Sequence, residues 1–160
     1  MPENIYIADI DENLVARGHK NFGFNPITIP EFGKLPFADK YFDIVFCSSV
    51  IEHVSVPKKE VWDHFSTTEF KNLSFQRQQQ FAREITRVGK QYFVQTPNRY
   101  FPIESHTWLP IMGWLPRPIL IPVLHFTNRV WIKKTRPDWH LLSKYELSQL
   151  FQIQLYLRKS

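Results

Sequence analysis

A single cysteine, Cys47, stands in the 160-residue chain, which excludes a framework of disulfides within it. It lies in an apolar run, DIVFCSS, where a buried thiol acting as a small hydrophobe is expected rather than a nucleophile. Glycine is scarce, at five residues, so there are few places where the backbone can wrap closely around a ligand. Apolar stretches free of breakers are also lacking. The most apolar one, residues 109–126 (LPIMGWLPRPILIPVLHF), holds four prolines, an arginine and a histidine. A lipid-exposed backbone could not leave so many hydrogen bonds unmade, so a membrane-spanning helix is excluded there. A lid over an apolar pocket, or a segment lying in a membrane interface, fits it better. The N-terminus, MPENIYIADIDENL, is too acidic, and its apolar run too short, for a signal peptide. A cytoplasmic protein is expected, with peripheral membrane contact open through residues 100–139.

The composition is that of a folded protein, 43% hydrophobic and 22% charged. The net charge of +5 is unevenly spread. Arg99, Arg117, Arg129, Lys133, Lys134 and Arg136 face only Glu104 and Asp138 between residues 99 and 138, so this segment carries +4. A basic, aromatic, proline-rich segment suits nucleic acid, an anionic membrane surface or an anionic substrate, and ordinary solvated charge is the plainer alternative. Clustered prolines and apolar residues argue against nucleic acid, and none is expected as a partner.

The pattern predicts a strand over residues 5–10 (IYIADI), a helix over 12–18 capped by Asp11, and a short strand over 27–29. A turn, LPFAD, leads into a central buried strand over 43–49. A helix is predicted over 75–88, with Ser74 as its cap and Gly89 in the left-handed position after it. A strand over 91–96, a helix opened by the capping box Ser143–Glu146, and a final strand over 152–158 complete the series. Strands alternating with helices predict a mostly parallel α/β sheet with helices on both faces. In such a sheet ligands collect at the carboxyl ends of the strands. Here those ends carry Asp9, Glu31-Phe32, Ser48-Ser49 with Glu52-His53 following, and Thr96-Pro97-Asn98. A carboxylate at Asp9 suits the two hydroxyls of a ribose, whereas Asp11 serves as a helix cap.

The stretch LPFADKYFDIVFCSSVIEHV resembles class I S-adenosylmethionine-dependent methyltransferases, of the type 11 and ubiquinone-type small-molecule group. It matches their Leu-Pro-Phe turn, the aspartate opening the fourth strand, and the Glu-His-Val ending. IYIADIDENL, AREITRVGKQYFVQTPN and HLLSKYELSQLF resemble their second strand, following helix and strand, and late helix. The resemblance covers nearly everything outside residues 100–139. It implies a Rossmann-like methyltransferase sheet and methyl transfer from S-adenosylmethionine to a small-molecule, lipid-like or glycan-linked acceptor. It assigns Asp9, with Ile10, to the cofactor ribose, Glu31 and Phe32 to its adenine, and Ser48 and Ser49 to its methionine part. His53 would lie near the transferring methyl. Glu104 and His106, in the insertion that follows the fifth family strand, form a pair suited to general acid–base work, with a lid-loop role as the plainer alternative. His125, His140 and the tryptophans Trp108, Trp114, Trp131 and Trp139 are expected to be structural.

Two departures qualify what the resemblance implies. Some relatives bind a metal through Glu-x-x-Glu-His; here Ser49 occupies the first position, so no metal is expected. Nothing upstream of Ile5 matches the family's first strand and glycine-rich loop, whose backbone amides approach the cofactor. A single partial domain over residues 1–160, truncated at the N-terminus and with impaired cofactor binding, is therefore expected. In the family's strand order, 3-2-1-4-5-7-6, the first strand lies between the second and fourth, so residues 5–10 would pair directly with the central strand or be loosely held. Each unpaired buried backbone group costs about 1–3 kcal/mol. The competing expectation is a non-catalytic remnant or interaction module with weak or no cofactor binding.

Overall fold

The structure, a computed structural model, describes residues 4–151. The chain divides into two compact units, Met1–Ala38 and Asp39–Ser160. The strand predicted over residues 152–158 lies outside the described residues.

In the first unit, strand β1 (Tyr6–Asp9), helix α1 (Glu12–Phe22) and strand β2 (Asn25–Thr28) form a parallel β-α-β unit. Its register runs from Tyr6 opposite Asn25 to Asp9 opposite Thr28. Asp11 caps α1 as expected, accepting the Asn13 N–H at 2.9 Å. The helix continues one turn beyond the predicted end. It stops at Gly23, which takes the left-handed conformation (φ 72°) and donates to the His19 carbonyl at 2.8 Å. Gly18 does not break it because helix and strand meet there. A Cβ on Gly18 would lie 2.5 Å from the Ile7 Cδ1.

The second unit holds strand β3 (Phe42–Ser48), helix α2 (Thr67–Val88), strand β4 (Gly89–Gln95), helix α3 (Arg117–Val130) and helix α4 (Lys144–Phe151). Strands β3 and β4 are parallel, Phe42 opposite Gly89 through Ser48 opposite Gln95. Cys47, Ile51, Ala82, Ile85, Leu142 and Phe151 form the core between this sheet and the helices α2 and α4. Burial pushes the Cys47 thiol up to about 12, as expected of a packed rather than a reactive cysteine.

The parallel α/β character is as read from the sequence, with a two-stranded parallel sheet described in each unit, β1 with β2 in the first and β3 with β4 in the second. In the second unit one sheet face packs on the core. The other presents Ile44, Phe46 (71% exposed) and Phe93, with the two phenyl rings stacked at 5.2 Å.

Helix α2 starts two turns earlier than predicted. Ser66 is the cap, accepting the Glu69 N–H at 3.2 Å, and Ser74 is buried inside the helix. The reason is packing: Phe70 and Leu73 extend the apolar face back onto Val56 and Val61. Gly89 is extended (φ −99°) and is the first residue of β4, not a left-handed cap. The capping box of α4 forms as predicted, with Ser143 N–H to Glu146 Oε2 at 2.7 Å and Glu146 N–H to Ser143 Oγ at 3.2 Å.

Residues 109–126, expected as a lid or interface segment, contain most of α3. Its prolines are tolerated mainly by position. Pro116 is the cap residue, and Pro118 sits in the first turn, where an N–H has no helical partner. Pro122 alone interrupts the ladder. Leu120 and Leu124 pack with Met112, Trp139 and Leu141. Among the described residues no helix is long and apolar enough to cross a membrane. Arg117, counted from sequence with the surface charge, is 3% exposed. Its guanidinium donates to the carbonyls of Val61, His64 and Pro137 and lies 3.7 Å from the Phe70 ring centroid. Burial pulls its pKa down to about 10.

Candidate active site

The predicted cofactor residues lie at or shortly after the carboxyl ends of β1, β2 and β3, and Glu104 and His106 lie between β4 and α3. In the first unit, Asp9 ends β1 and is half-buried with Ile10. Its Oδ1 accepts the Asp11 N–H at 2.9 Å, which turns the chain into α1. Glu31, exposed, and Phe32, half-buried, follow the end of β2.

In the second unit, Ser48 ends β3. Ser49 takes a left-handed conformation (φ 54°) while its N–H continues the ladder to the Gln95 carbonyl at 2.9 Å. A serine held there is strained, and such backbone recurs at functional sites. The bend leads into a short 3₁₀ turn, Ile51–His53, that buries Glu52 and half-buries His53.

His53 meets the insertion there. Its Nε2 lies 3.1 Å from the Nε2 of His106, with the rings edge to face. Each ring is held at its other nitrogen by a carboxylate: His53 Nδ1 is 3.3 Å from Asp138 Oδ1, and His106 Nδ1 is 2.5 Å from Glu104 Oε1. The His106 ring also stacks on Trp139 at 5.5 Å. Glu104 is 2% exposed and takes three further bonds, from the His106 N–H at 2.8 Å, the Thr107 N–H at 2.7 Å and the Ser105 hydroxyl at 3.5 Å. Burial works to raise its pKa, but the His106 ring and the two backbone N–H groups outweigh it and hold it below the ordinary value. For His53, burial works to lower the pKa and the Asp138 carboxylate prevails, raising it. Asp138 is lowered in turn: its burial is outweighed by the bond to His53.

Glu52 completes the group. Its Oε2 accepts from the Thr96 hydroxyl at 3.0 Å, and its backbone carbonyl accepts from the His140 N–H at 2.7 Å. Among the described residues its Oε1 is buried with no hydrogen-bond partner. The structure therefore brings together the predicted His53, Glu104 and His106. It adds Glu52 and Asp138, to which sequence reasoning gave no role. Glu52 was visible as the partner of His53 in the Glu-His dipeptide; Asp138 had no local signal.

On one side His53 and Asp138 open onto a cleft with Trp62, Asn128, Lys134, Thr135 and Arg136. On the other, Glu104 and Ser105 line a smaller pocket with Pro97, Asn98, Phe101, Ile103 and Leu141. His140 is structural, as expected. It is buried with its Nδ1 2.9 Å from Gln78 Oε1, and burial lowers its pKa to about 4. Of the four tryptophans expected in lid or core packing, Trp139 is buried, while Trp108 and Trp114 are more than half exposed.

With this geometry in view, the comparisons are informative. The family model described as a methyltransferase domain matches residues 1–92, and the chain belongs to that family. No curated protein and no solved structure matches it. The family uses S-adenosylmethionine as methyl donor. In the first unit a carboxylate ends β1 and an acid beside an aromatic follows β2; in the second a pair of hydroxyls stands where β3 ends.

Proposed function

We propose that the protein transfers a methyl group from S-adenosylmethionine to a bulky, lipid-like acceptor bearing an anionic group, and that it works at a membrane surface. Bound in the site, the donor supplies a methyl group activated by its sulfonium charge. In the first unit Asp9, with Ile10, is assigned the ribose hydroxyls, and Glu31 and Phe32 the adenine. In the second, Ser48 and Ser49 are assigned the methionine part. The nucleophilic oxygen or nitrogen of the acceptor would gain the methyl as the methyl–sulfur bond breaks, its electron pair staying on the sulfur of S-adenosylhomocysteine, and would give up its proton. The His53–His106 pair receives that proton at Nε2, because Asp138 and Glu104 hold the Nδ1 sides. Positioning and exclusion of water supply the rest.

The observation that carries this reading is the pair of carboxylate-held histidines, of which His53 lines a cleft with Lys134 and Arg136. The cations suit an anionic acceptor. Around them Tyr100, Phe101, Trp108, Ile119, Phe126 and Ile132 are exposed, beside the basic residues of the same segment. That mixture suits a membrane interface carrying anionic lipid. Calorimetry with S-adenosylmethionine and S-adenosylhomocysteine tests the enzyme reading. Binding weakened by Asp9→Asn is expected, and no heat at millimolar ligand would sink it. Cosedimentation with anionic vesicles tests the surface; indifference to lipid charge would remove it.

A further inference from the structure

The two Nε2 atoms at the centre of the site pose an electrostatic problem. A carboxylate on each Nδ1 places the ring hydrogen there, so both Nε2 lone pairs point into the same gap of 3.1 Å. Two lone pairs at that distance repel unless an electrophile lies between them. Glu52 adds to the demand. It is 0% exposed, with one carboxylate oxygen unpartnered among the described residues. One ligand atom from each of Glu52, His53 and His106 lies within 4.8 Å of the other two. Three carboxyl side chains (Glu52, Glu104 and Asp138) thus surround two imidazoles, with Lys58 acting on His53 and Asp138 from nearby.

We infer that Glu52, His53 and His106 form a site for a divalent transition metal of the zinc class, with Asp138 and Glu104 as the groups that orient its two histidines. Two nitrogens and a carboxylate oxygen are the donor set that zinc takes with three protein ligands, leaving a fourth position open. Two nitrogens bound tetrahedrally to zinc at ordinary bond lengths lie roughly 3.3–3.4 Å apart, within a few tenths of an ångström of the spacing here. A histidine ligand ordinarily donates its other N–H to a carboxylate, and both rings here have one in place. A hard, oxygen-seeking ion such as magnesium is disfavoured by the two imidazoles. The Glu-x-x-Glu-His pattern does not supply this set. Its first position is Ser49, and the third donor comes from the insertion, 53 residues beyond His53 in the chain. The site stands whether or not methyl transfer is the reaction. If it is, a metal would occupy the two Nε2 positions in place of the acceptor's proton, so the histidines would act as ligands and the metal would acidify the acceptor's O–H in their stead.

The full chain, stripped with a chelator, is titrated with zinc against a chromophoric chelator, and with cobalt for its visible spectrum. One zinc per chain and tetrahedral-intensity cobalt bands are expected. His53→Ala, His106→Ala and Glu52→Gln should each weaken zinc binding a hundredfold or more. Asp138→Asn and Glu104→Gln should weaken it about 10–100-fold. His125→Gln, which lies against Trp62 and outside the site, should change nothing. Because an alanine variant can fail to fold, His106→Cys provides a second measurement: it should keep tight binding and add a thiolate-to-cobalt band. No zinc binding by the wild-type chain would overturn the assignment. So would equal loss in His125→Gln, or magnesium bound as tightly as zinc. None of these readouts requires S-adenosylmethionine, so failure of the methyl-donor reading leaves the metal test intact.

Discussion

The two units use the same parallel β-α-β plan with very different depth of burial. In Met1–Ala38 only Val15 and Gly18 of α1 are buried, and both strands keep alternate residues in solvent. In Asp39–Ser160 two apolar clusters pack on α2 and a third on α3, and even polar groups such as Gln78, Glu52 and Arg117 are enclosed. Polar groups enclosed at this depth interact more strongly than they would in water, and the histidine–carboxylate cluster lies in this unit. The first offers its acids from an exposed edge. Under the proposed function this difference is a division of labour: the chemistry that needs exclusion of water is assigned to the unit with the deep core, and recognition of a polar ligand to the thin one.

The sharpest test of that contrast is Arg117→Ala. Three carbonyls would lose a buried donor, each at about 1–3 kcal/mol. We expect a loss of at least ~3 kcal/mol in denaturant unfolding, and a change under 1 kcal/mol would show the enclosure to be unimportant. In the thin unit, Gly18→Ala brings a Cβ to 2.5 Å from the Ile7 Cδ1, the movable end of that side chain, and should cost about 1 kcal/mol or less. Hydrogen exchange of β1 and β2 amides reads this loss, and equal loss of protection in α2 would erase the distinction. Ser143→Ala removes the α4 cap and should cost about 1 kcal/mol.

Acid should act on the second unit through Glu146. Burial works to raise its pKa, but the Ser143 hydroxyl and N–H and the Arg99 guanidinium at 3.0 Å outweigh it and lower the pKa. The folded value lies below the ordinary 4.5, so the stabilisation is present above 4.5 and is lost as pH falls through the folded value. Being partly exposed, the group contributes about 1 kcal/mol or less. Glu146→Gln should flatten the pH dependence of stability in that range. The smallest effect is a null one. Cys47 should resist alkylation near pH 8 while the chain is folded and react once it is unfolded.

Much of this was legible in the residues. The strands were marked by apolar runs that stop at acids or prolines, the caps by Asp11 and the Ser143–Glu146 box, and His53, Glu104 and His106 by their positions after strands. What was not legible depended on distant contacts. The early start of α2 rests on Phe70 meeting Val56 and Val61, which no window of sequence shows. Arg117 reads as surface charge because nothing nearby announces the three carbonyls that enclose it. Asp138 lies 85 positions after His53 and becomes its partner only through folding. The proline-rich segment hid a helix because prolines at a cap and in a first turn look, in sequence, like those that break one.

Lys40 has a mechanical consequence. It takes a left-handed backbone (φ 56°), donates its N–H to the Arg87 carbonyl at 2.7 Å, and sends its Nζ to the carbonyls of Thr86 at 2.7 Å and Gly89 at 3.1 Å. It thereby ties the entrance of β3 to the point where α2 gives way to β4. Force applied between the start of β3 and the end of β4 would load the rungs of the parallel ladder together, in shear, with the lysine as a rivet at one end. Under tension this segment should yield late and all at once, and Lys40→Ala should lower its rupture force without changing the strand register.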